Sequence, residues 1–270
     1  MSPAHDKPAV EVVSVVANDR VAEGVGLIAL HAPRTAASIQ AGQFVHLRIA
    51  TGADIILRRP FSVHLVRGER IEILYQILGA GTLRLARKHV GDVMDAVGPL
   101  GHGWHVPDSL SHALLVAGGL GAAPLGMLAE QLAGRGVAVA VAQGAPTAPR
   151  LVARDHFESV ARRVEIATDD GSAGERGFVT GPVARLLAEE RFDMVYMCGP
   201  EPMQRIVSGM ARDAGIPCQV SLERLMGCGI GACLSCVVST RTGLKRACVD
   251  GPVFDGEEVV WDASQTPPKH

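Results

Sequence analysis

The apolar positions change rhythm partway along the chain. Up to about residue 100 they come in short runs rich in β-branched residues, broken by Gly, Asn-Asp or Pro signals. The runs VEVVSVVAND (10–19), VGLIALHAP (25–33), QFVHLRI (43–49), FSVHLVRG (61–68) and RIEILYQIL (70–78) predict strands of an antiparallel barrel or sandwich. GTLRLARKHVGD (81–92) predicts one helix inside that region. Beyond residue 107 apolar strand patterns at 112–119, 137–144, 163–171 and 192–200 alternate with helical ones at 123–136, 148–162, 181–190 and 201–215. Alternating βα units predict a parallel sheet with helices on both faces. The remainder is rich in loops and glycine.

The expected fold class is therefore α+β and multidomain. An antiparallel β-barrel occupies 1–106, an α/β nucleotide-binding domain 107–217, and a small domain 218–270. The last carries five of the six cysteines and is too small to bury much core, so it needs a staple.

Composition narrows the partners. Lys and Arg total 26 against 28 Asp and Glu, a net charge of −2, with no basic block and only 4% aromatics. No nucleic-acid partner is expected. The longest uncharged run, 113–129, contains four glycines and a proline and makes a poor membrane span. The first twenty residues have no basic segment followed by an uninterrupted apolar one, so a cytoplasmic location is expected, with reduced thiols.

Four of those thiols form a pattern. Cys228, Cys233, Cys236 and Cys248 are spaced C-x4-C-x2-C-x11-C, with Gly227, Gly229 and Gly231 among the first three. The first three match the plant-type [2Fe–2S] spacing. Glycines let the backbone wrap the cluster and aim N–H groups at its sulfurs. Structural zinc is the alternative, but it usually shows two C-x2-C pairs and this chain has one. Cys198 and Cys218 lie outside the spacing and read as small buried residues.

Two motifs in the first region point to a diphosphate. LRRPFSV (57–63) places two arginines before a strand, which alone reads as a solvated edge. In LYQILGAGTLRL (74–85), Gly79, Gly81 and Thr82 at a helix start offer N–H groups and a hydroxyl to an anion, and an arginine adds charge. Together with the cysteine loop they suggest flavin adenine dinucleotide. In the second region, Gly118, Gly119 and Gly121 lie at the turn from the first strand into the first helix. Cys198, Gly199 and Pro200 end a later strand on the same edge, where α/β domains bind ligands. A tight turn without a ligand is the alternative. Asp169 and Asp170 follow the strand 163–168 and would repel a 2′-phosphate, which favours NAD over NADP; Arg176 nearby argues the other way, and an Asx-turn is the bland reading.

The segments RRPFS, GAGT, GPLGHGW, AGGLGAAPL, TDDGSAG, CGP, GCGIGACLSC and CVDGPVFDGEEVVW occur in the order found in the ferredoxin-reductase superfamily. More narrowly, the chain resembles the electron-transfer subunits of class 1B dihydroorotate dehydrogenases, over nearly its whole length. The resemblance implies FAD, a [2Fe–2S] cluster held by the four cysteines, and NAD as substrate. It implies that Arg59, Pro60, Phe61 and Ser62 lie along the flavin, with Arg59 on its phosphates and Ser62 near the ring. Leu74, Tyr75 and Gln76 would line it, and Gly81 and Thr82 would meet the diphosphate. His102 and Trp104 replace the asparagine and phenylalanine usual in that loop.

The division of labour fits. Nicotinamide exchanges a hydride, a cluster takes single electrons, and a flavin can do both. No residue is required as a strong acid or base. The resemblance also implies an FMN-containing catalytic partner, two copies of each subunit in a heterotetramer. Related reductase subunits serving ferredoxin, a hydrogenase or another acceptor are the first alternative. A zinc-stapled module without redox function is the second.

Overall fold

The structure, a computed structural model, describes residues 8–50 and 55–261. The first region forms strands β1 (Ala9–Ala22), β2 (Val25–His31), β3 (Phe44–Arg48), β4 (Arg59–Ser62), β5 (Leu65–Arg67), β6 (Arg70–Gln76) and β7 (Val93–Leu100). They make one antiparallel sheet in the order β4-β3-β7-β1-β2-β6-β5. Its two edge strands, β4 and β5, are consecutive in the chain, joined through Val63 and His64. A sheet whose edges are separated by so short a link must curl round on itself. Val13, Ile28, Leu47 and Ile73, all fully buried, fill the interior. The run 61–68 is thus two strands, because the chain changes edges: Val63 N–H bonds to Gln43 and His64 N–H to Glu72. A helix α1 (Pro33–Ser38) was not expected, and α2 (Ala80–Leu85) is shorter than 81–92, giving way to a turn at Gly91 with φ +90°.

The second region holds β8 (His112–Gly118), α3 (Gly126–Gly134), β9 (Ala138–Ala145), α4 (Arg154–Val160), β10 (Arg163–Thr168), β11 (Glu175–Arg176), α5 (Thr180–Glu189), β12 (Met194–Cys198) and α6 (Glu201–Asp213). A 3-10 segment, Gly119–Leu125, precedes α3 where one continuous helix from 123 was expected; Pro124 within it has no N–H to give. Then come β13 (Cys218–Ser221), the hairpin β14 (Val237–Thr240) and β15 (Gly243–Arg246), and β16 (Val253–Asp255). The sheet runs β11-β10-β9-β8-β12-β13-β16, parallel except for β16. β13 pairs with β12 and β16 with β13, so both ends of the cysteine-bearing excursion are strands of the nucleotide sheet.

The two sheets are locked together by the 102–106 segment. Trp104 N–H bonds to Ala41 and its indole Nε1–H to Pro124 at 2.9 Å. Gln219 on β13 exchanges two hydrogen bonds with the His105 backbone. Among the described residues no helix is long and apolar enough to cross a membrane.

A second lock is pH-sensitive. The His64 ring donates from Nδ1 to the Ala123 carbonyl at 3.0 Å, with His156, Glu130 and Arg67 around it. Burial pushes its pKa down to about 4. An unfolded histidine titrates near 6.5, so the unfolded chain binds the extra proton first. The contribution is complete above about pH 6.5 and is lost as pH falls toward 4, up to about 3 kcal/mol at 1.36 kcal/mol per unit. Unfolding free energies measured from pH 7 to 4 should fall more steeply for the native chain than for a His64→Gln variant. Parallel curves would refute this.

Candidate functional site

A cavity of about 280 Å³ opens where the curled sheet, the nucleotide sheet and the lead-in to the cysteine loop meet. Pro60, Phe61 and Ser62 line it from β4, and Leu74, Tyr75 and Gln76 from β6. Leu120 and Pro124 come from the 3-10 segment and Cys198 from the end of β12. Ser221 to Arg224, Met226 and Pro252 form the wall toward the cysteine loop, and Phe44, Leu78 and Ala123 complete the lining. Seven of the residues singled out from sequence therefore share one cavity.

Their roles within it differ. Tyr75 is only 2% exposed and its hydroxyl donates to Asn18 Oδ1 at 2.8 Å, so it contributes wall rather than a free polar group. Cys198 is buried and its thiol is pushed well above the usual range by burial, which leaves it protonated and unreactive. Arg59, Gly81 and Thr82 lie beside the cavity rather than in its lining. The space a Cβ on Gly81 would take ends 3.3 Å from Arg59 Nε, so the guanidinium and the start of α2 adjoin. The Thr82 hydroxyl accepts the Leu78 and Gly79 N–H groups at 3.0 and 3.3 Å. It closes the helix start, an office the sequence does not distinguish from binding phosphate.

The two turns of the nucleotide sheet touch. A Cβ on Gly118 would fall 2.7 Å from Pro200 Cδ, and one on Gly121 would fall 2.1 Å from the Cys198 carbonyl oxygen. Gly118, Gly121, Cys198, Gly199 and Pro200 thus form one surface at the carboxyl edge of β8 and β12, with Gly119 at φ +55° beginning the 3-10 segment. Asp169 is exposed at the end of β10. Asp170 does form the Asx-turn: its Oδ1 accepts the Ser172 N–H and hydroxyl at 2.9 and 2.6 Å, which holds its carboxyl below the usual range.

The cysteine loop is organised around sulfur. Cys228 Sγ accepts N–H groups from Ile230, Ala232 and Cys233 at 3.4, 3.2 and 3.4 Å. Cys248 Sγ accepts the Gly231 N–H at 3.2 Å. Gly229 and Gly231 make this fan possible with φ of +71° and +83°. Ser235 and its backbone draw the exposed Cys233 thiol down to about 6, while burial and Cys236 push Cys248 up to about 12. Backbone donors converging on cysteine sulfur suit thiolates bound to a cluster, whose negative charge they stabilise. Among the described residues no three His, Cys, Asp or Glu side chains converge on a single ion; a two-iron cluster divides its ligands between two metals. Cys218 stays apart, buried, its thiol raised to about 11 by burial.

The sequence reading assigned no role to Glu223, Arg224 or His46. Glu223 faces the cavity, and the surrounding protein pushes its carboxyl up. Arg224 pairs with Glu201 at 3.2 Å. His46 lies wholly buried beside the cysteine loop; burial holds its ring below the usual range, while the Cys228 and Arg58 backbone groups beside it pull the other way. The charged pair directly before the cysteine loop was the available signal for Glu223 and Arg224. His46 had none.

The comparisons with known proteins agree with this geometry. Residues 223–260 match the iron–sulfur cluster binding domain of dihydroorotate dehydrogenase B, and residues 115–209 match the oxidoreductase NAD-binding domain. The solved structure of an NADH-dependent reduced ferredoxin–NADP oxidoreductase superposes with a TM-score of 0.84 at 33% identity, over 92% of this chain and 89% of that one. A ferredoxin reductase of carbazole 1,9a-dioxygenase shares the fold at a TM-score of 0.66 and 20% identity, over 79% of this chain and 68% of that one. These define a ferredoxin-reductase-like oxidoreductase that carries an iron–sulfur domain and transfers electrons. The dihydroorotate dehydrogenase B (NAD(+)) electron transfer subunit of Desulforamulus reducens is 39% identical over 92% of this chain and 97% of its own. That of Bacillus caldolyticus is 42% identical over 82% and 87%. The chain belongs to the family of dihydroorotate dehydrogenase B electron transfer subunits.

Proposed function

We propose that the chain is the conduit between a dihydroorotate-oxidising partner subunit that carries FMN and NAD⁺. The observation that carries this is the shared cavity, bounded at once by the β4 and β6 motifs, by the nicotinamide-side turn at Cys198, and by the segment leading to the cluster. A flavin bound there can take electrons singly from a cluster and pass them as a pair to nicotinamide. The chain's own residues orient and exclude. Pro60, Phe61, Ser62, Leu74, Tyr75 and Gln76 bracket the flavin ring, and Arg59 with Gly81 and Thr82 faces its diphosphate. Gly118, Gly119, Gly121, Gly199 and Pro200 give nicotinamide a side-chain-free approach next to Cys198. Cys228, Cys233, Cys236 and Cys248 hold the cluster.

Leu225, Ile230 and Leu234 are 62%, 58% and 61% exposed around the cluster ligands. Exposed apolar side chains at a redox centre suit a protein partner, here the FMN subunit, in a heterotetramer of two copies each. The reduced thiols this site needs fit the cytoplasm. Co-expression with the dehydrogenase subunit should give dihydroorotate-dependent NAD⁺ reduction. Turnover with another donor and none with dihydroorotate would overturn the reading.

Asp169 favours NAD over NADP by repelling the 2′-phosphate. Asp169→Ser should narrow the ratio of kcat/KM for NAD⁺ over NADP⁺ about tenfold, the equivalent of 1.4 kcal/mol. An unchanged ratio would remove Asp169 from the nucleotide site.

A further inference from the structure

Two segments leave the nucleotide sheet side by side and meet again a few residues later. Cys198 at the end of β12 is in register with Ser221 at the end of β13. From Cys198 the chain runs through Gly199 and Pro200 into α6, whose first residue is Glu201. From Ser221 it runs through Leu222 and Glu223 to Arg224, and on to the first of the four cysteines, Cys228. Arg224 Nη1 and Glu201 Oε2 lie 3.2 Å apart, with side chains only 11% and 16% exposed. One ion pair therefore joins the nicotinamide-side turn to the lead-in of the cysteine loop. Cys198 and Ser221 to Arg224 also form a continuous stretch of the cavity wall.

Each partner controls its own segment. On the α6 side, the buried Gln204 donates its backbone N–H to the Pro200 carbonyl at 3.1 Å and its side-chain amide to the Gly199 carbonyl at 2.7 Å. The turn and the start of α6 thus form one piece. On the other side, the Leu222 N–H is bonded to the Pro252 carbonyl and the Gly227 N–H to the Ser235 hydroxyl. Between those two anchors, among the described residues, the stretch 223–226 makes no backbone–backbone hydrogen bond. The pair with Glu201 is what ties this stretch to another element. Arg224 Nη1 also donates to the neighbouring Glu223 carbonyl at 2.9 Å, which helps to orient the guanidinium. Among the described residues neither Glu201 Oε2 nor Arg224 Nε has a hydrogen-bond partner, so the contact is held by charge. A pair so little exposed is weakly screened, and removing one partner leaves the other charge uncompensated. Arg212 and Asp213 form a pair at the far end of α6, but both are exposed and contribute little.

We propose that Glu201 and Arg224 are a pair of positioning residues that fix the nicotinamide-side turn against the lead-in to the iron–sulfur cluster. One contact then sets both the nucleotide site and the approach of the cluster to the cavity between them. Loss of either charge lets the two segments drift apart, and loss of the second adds nothing, because the contact is already gone. The consequence for electron transfer rests on the relay reading. The link between the two segments does not, and it can be measured without turnover.

The test uses the assembled holoenzyme and compares Glu201→Gln, Arg224→Met, the two combined, and Arg224→Lys, which keeps the charge. Hydrogen exchange reads the link across the contact. E201Q should speed exchange of the Leu222 and Gly227 amides, and R224M that of the Gln204 amide, each about tenfold. The equilibrium Kd for NAD⁺ should rise about tenfold in each single variant, and in the double variant by no more than in the worse single one. R224K should stay within about threefold of the native Kd. Reduction of the cluster by NADH should slow in E201Q and R224M. Asp213→Asn, which breaks the exposed pair on the same helix, should change none of these. If R224M does not retain flavin, Arg224→Gln takes its place with the same expectation. Native exchange and native Kd in both single variants overturn the proposal, as do additive losses in the double variant or R224K behaving like R224M. Absence of dihydroorotate-driven turnover in the native complex would instead sink the relay reading and leave the exchange and Kd expectations standing.

Discussion

A Cys233→Ser variant loses its cluster and, with it, dihydroorotate-dependent reduction of NAD⁺. Cys233 is the exposed member of the four, so the substitution meets no packing constraint and tests ligation alone. Even outer-shell changes cost roughly 10–100-fold in metal affinity or activity, and loss of a ligand exceeds that. The expected result is a fall of more than about 100-fold in coupled turnover, with loss of the broad visible iron–sulfur absorbance. Reduction of a small dye by NADH should persist, because the β4 and β6 walls and the nucleotide edge are untouched. The segment between β13 and β16 should also become more easily cleaved by protease, since its staple is gone. Cys218→Ala is the control: that thiol is buried between Ser208 and Gly256, away from the loop, and the variant should keep both cluster and turnover. Native coupled turnover in C233S would refute the conduit.

The prominence of the cysteine pattern in the sequence, and the difficulty elsewhere, have physical causes. Ligation demands particular residues at short, local spacings, so Cys228, Cys233 and Cys236 stand out within nine residues of sequence. Long-range pairing leaves no such trace. β7 lies inside the first sheet, between β3 and β1, yet was not predicted. Gly98 and Pro99 look like a break, and Asp95 interrupts an apolar run; in the fold Asp95 is tolerated because Arg58 pairs with it. The alternation of buried and less buried positions along 93–100 was present but short of the usual strand composition.

The pairing of β13 and β16 with the nucleotide sheet was hidden for the same reason. β13 and β16 are brief, and what makes them strands of the nucleotide sheet is each other and β12. Thr82 illustrates a different limit. A glycine-rich helix start with a threonine serves equally to cap the helix or to greet a phosphate, and the hydroxyl's bonds to the Leu78 and Gly79 N–H groups are the capping use. His46 and Glu223 gain their meaning from what tertiary packing sets beside them, which no spacing encodes.

The second large effect is expected at Gly121, where Gly121→Ala should disable the nicotinamide side. The new Cβ would lie 2.1 Å from the Cys198 oxygen and 2.4 Å from its carbonyl carbon, both backbone atoms that cannot swing aside. β8 and β12 are paired through Val116–Met197 and Ala117–Cys198, so separating the turns means opening a parallel ladder at the centre of the sheet. The easier response is for the Gly119–Leu125 segment to lift. That segment is tied down by the Trp104 indole on Pro124 and His64 on Ala123, and it supplies Leu120 and Pro124 to the cavity proposed for the flavin. Overpacking of this kind costs about 1–3 kcal/mol. The displaced turn should raise KM for NAD⁺ more than tenfold and loosen the flavin, while the EPR spectrum of the cluster stays native because the cysteine loop does not touch Gly121. Gly134→Ala provides the contrast, since nothing lies within 4 Å of its added methyl near the end of α3, and stability there should rise or hold. A native KM and native stability in G121A would show that the two turns can part freely. The close approach of β8 and β12 would then have no role in holding nicotinamide against the flavin.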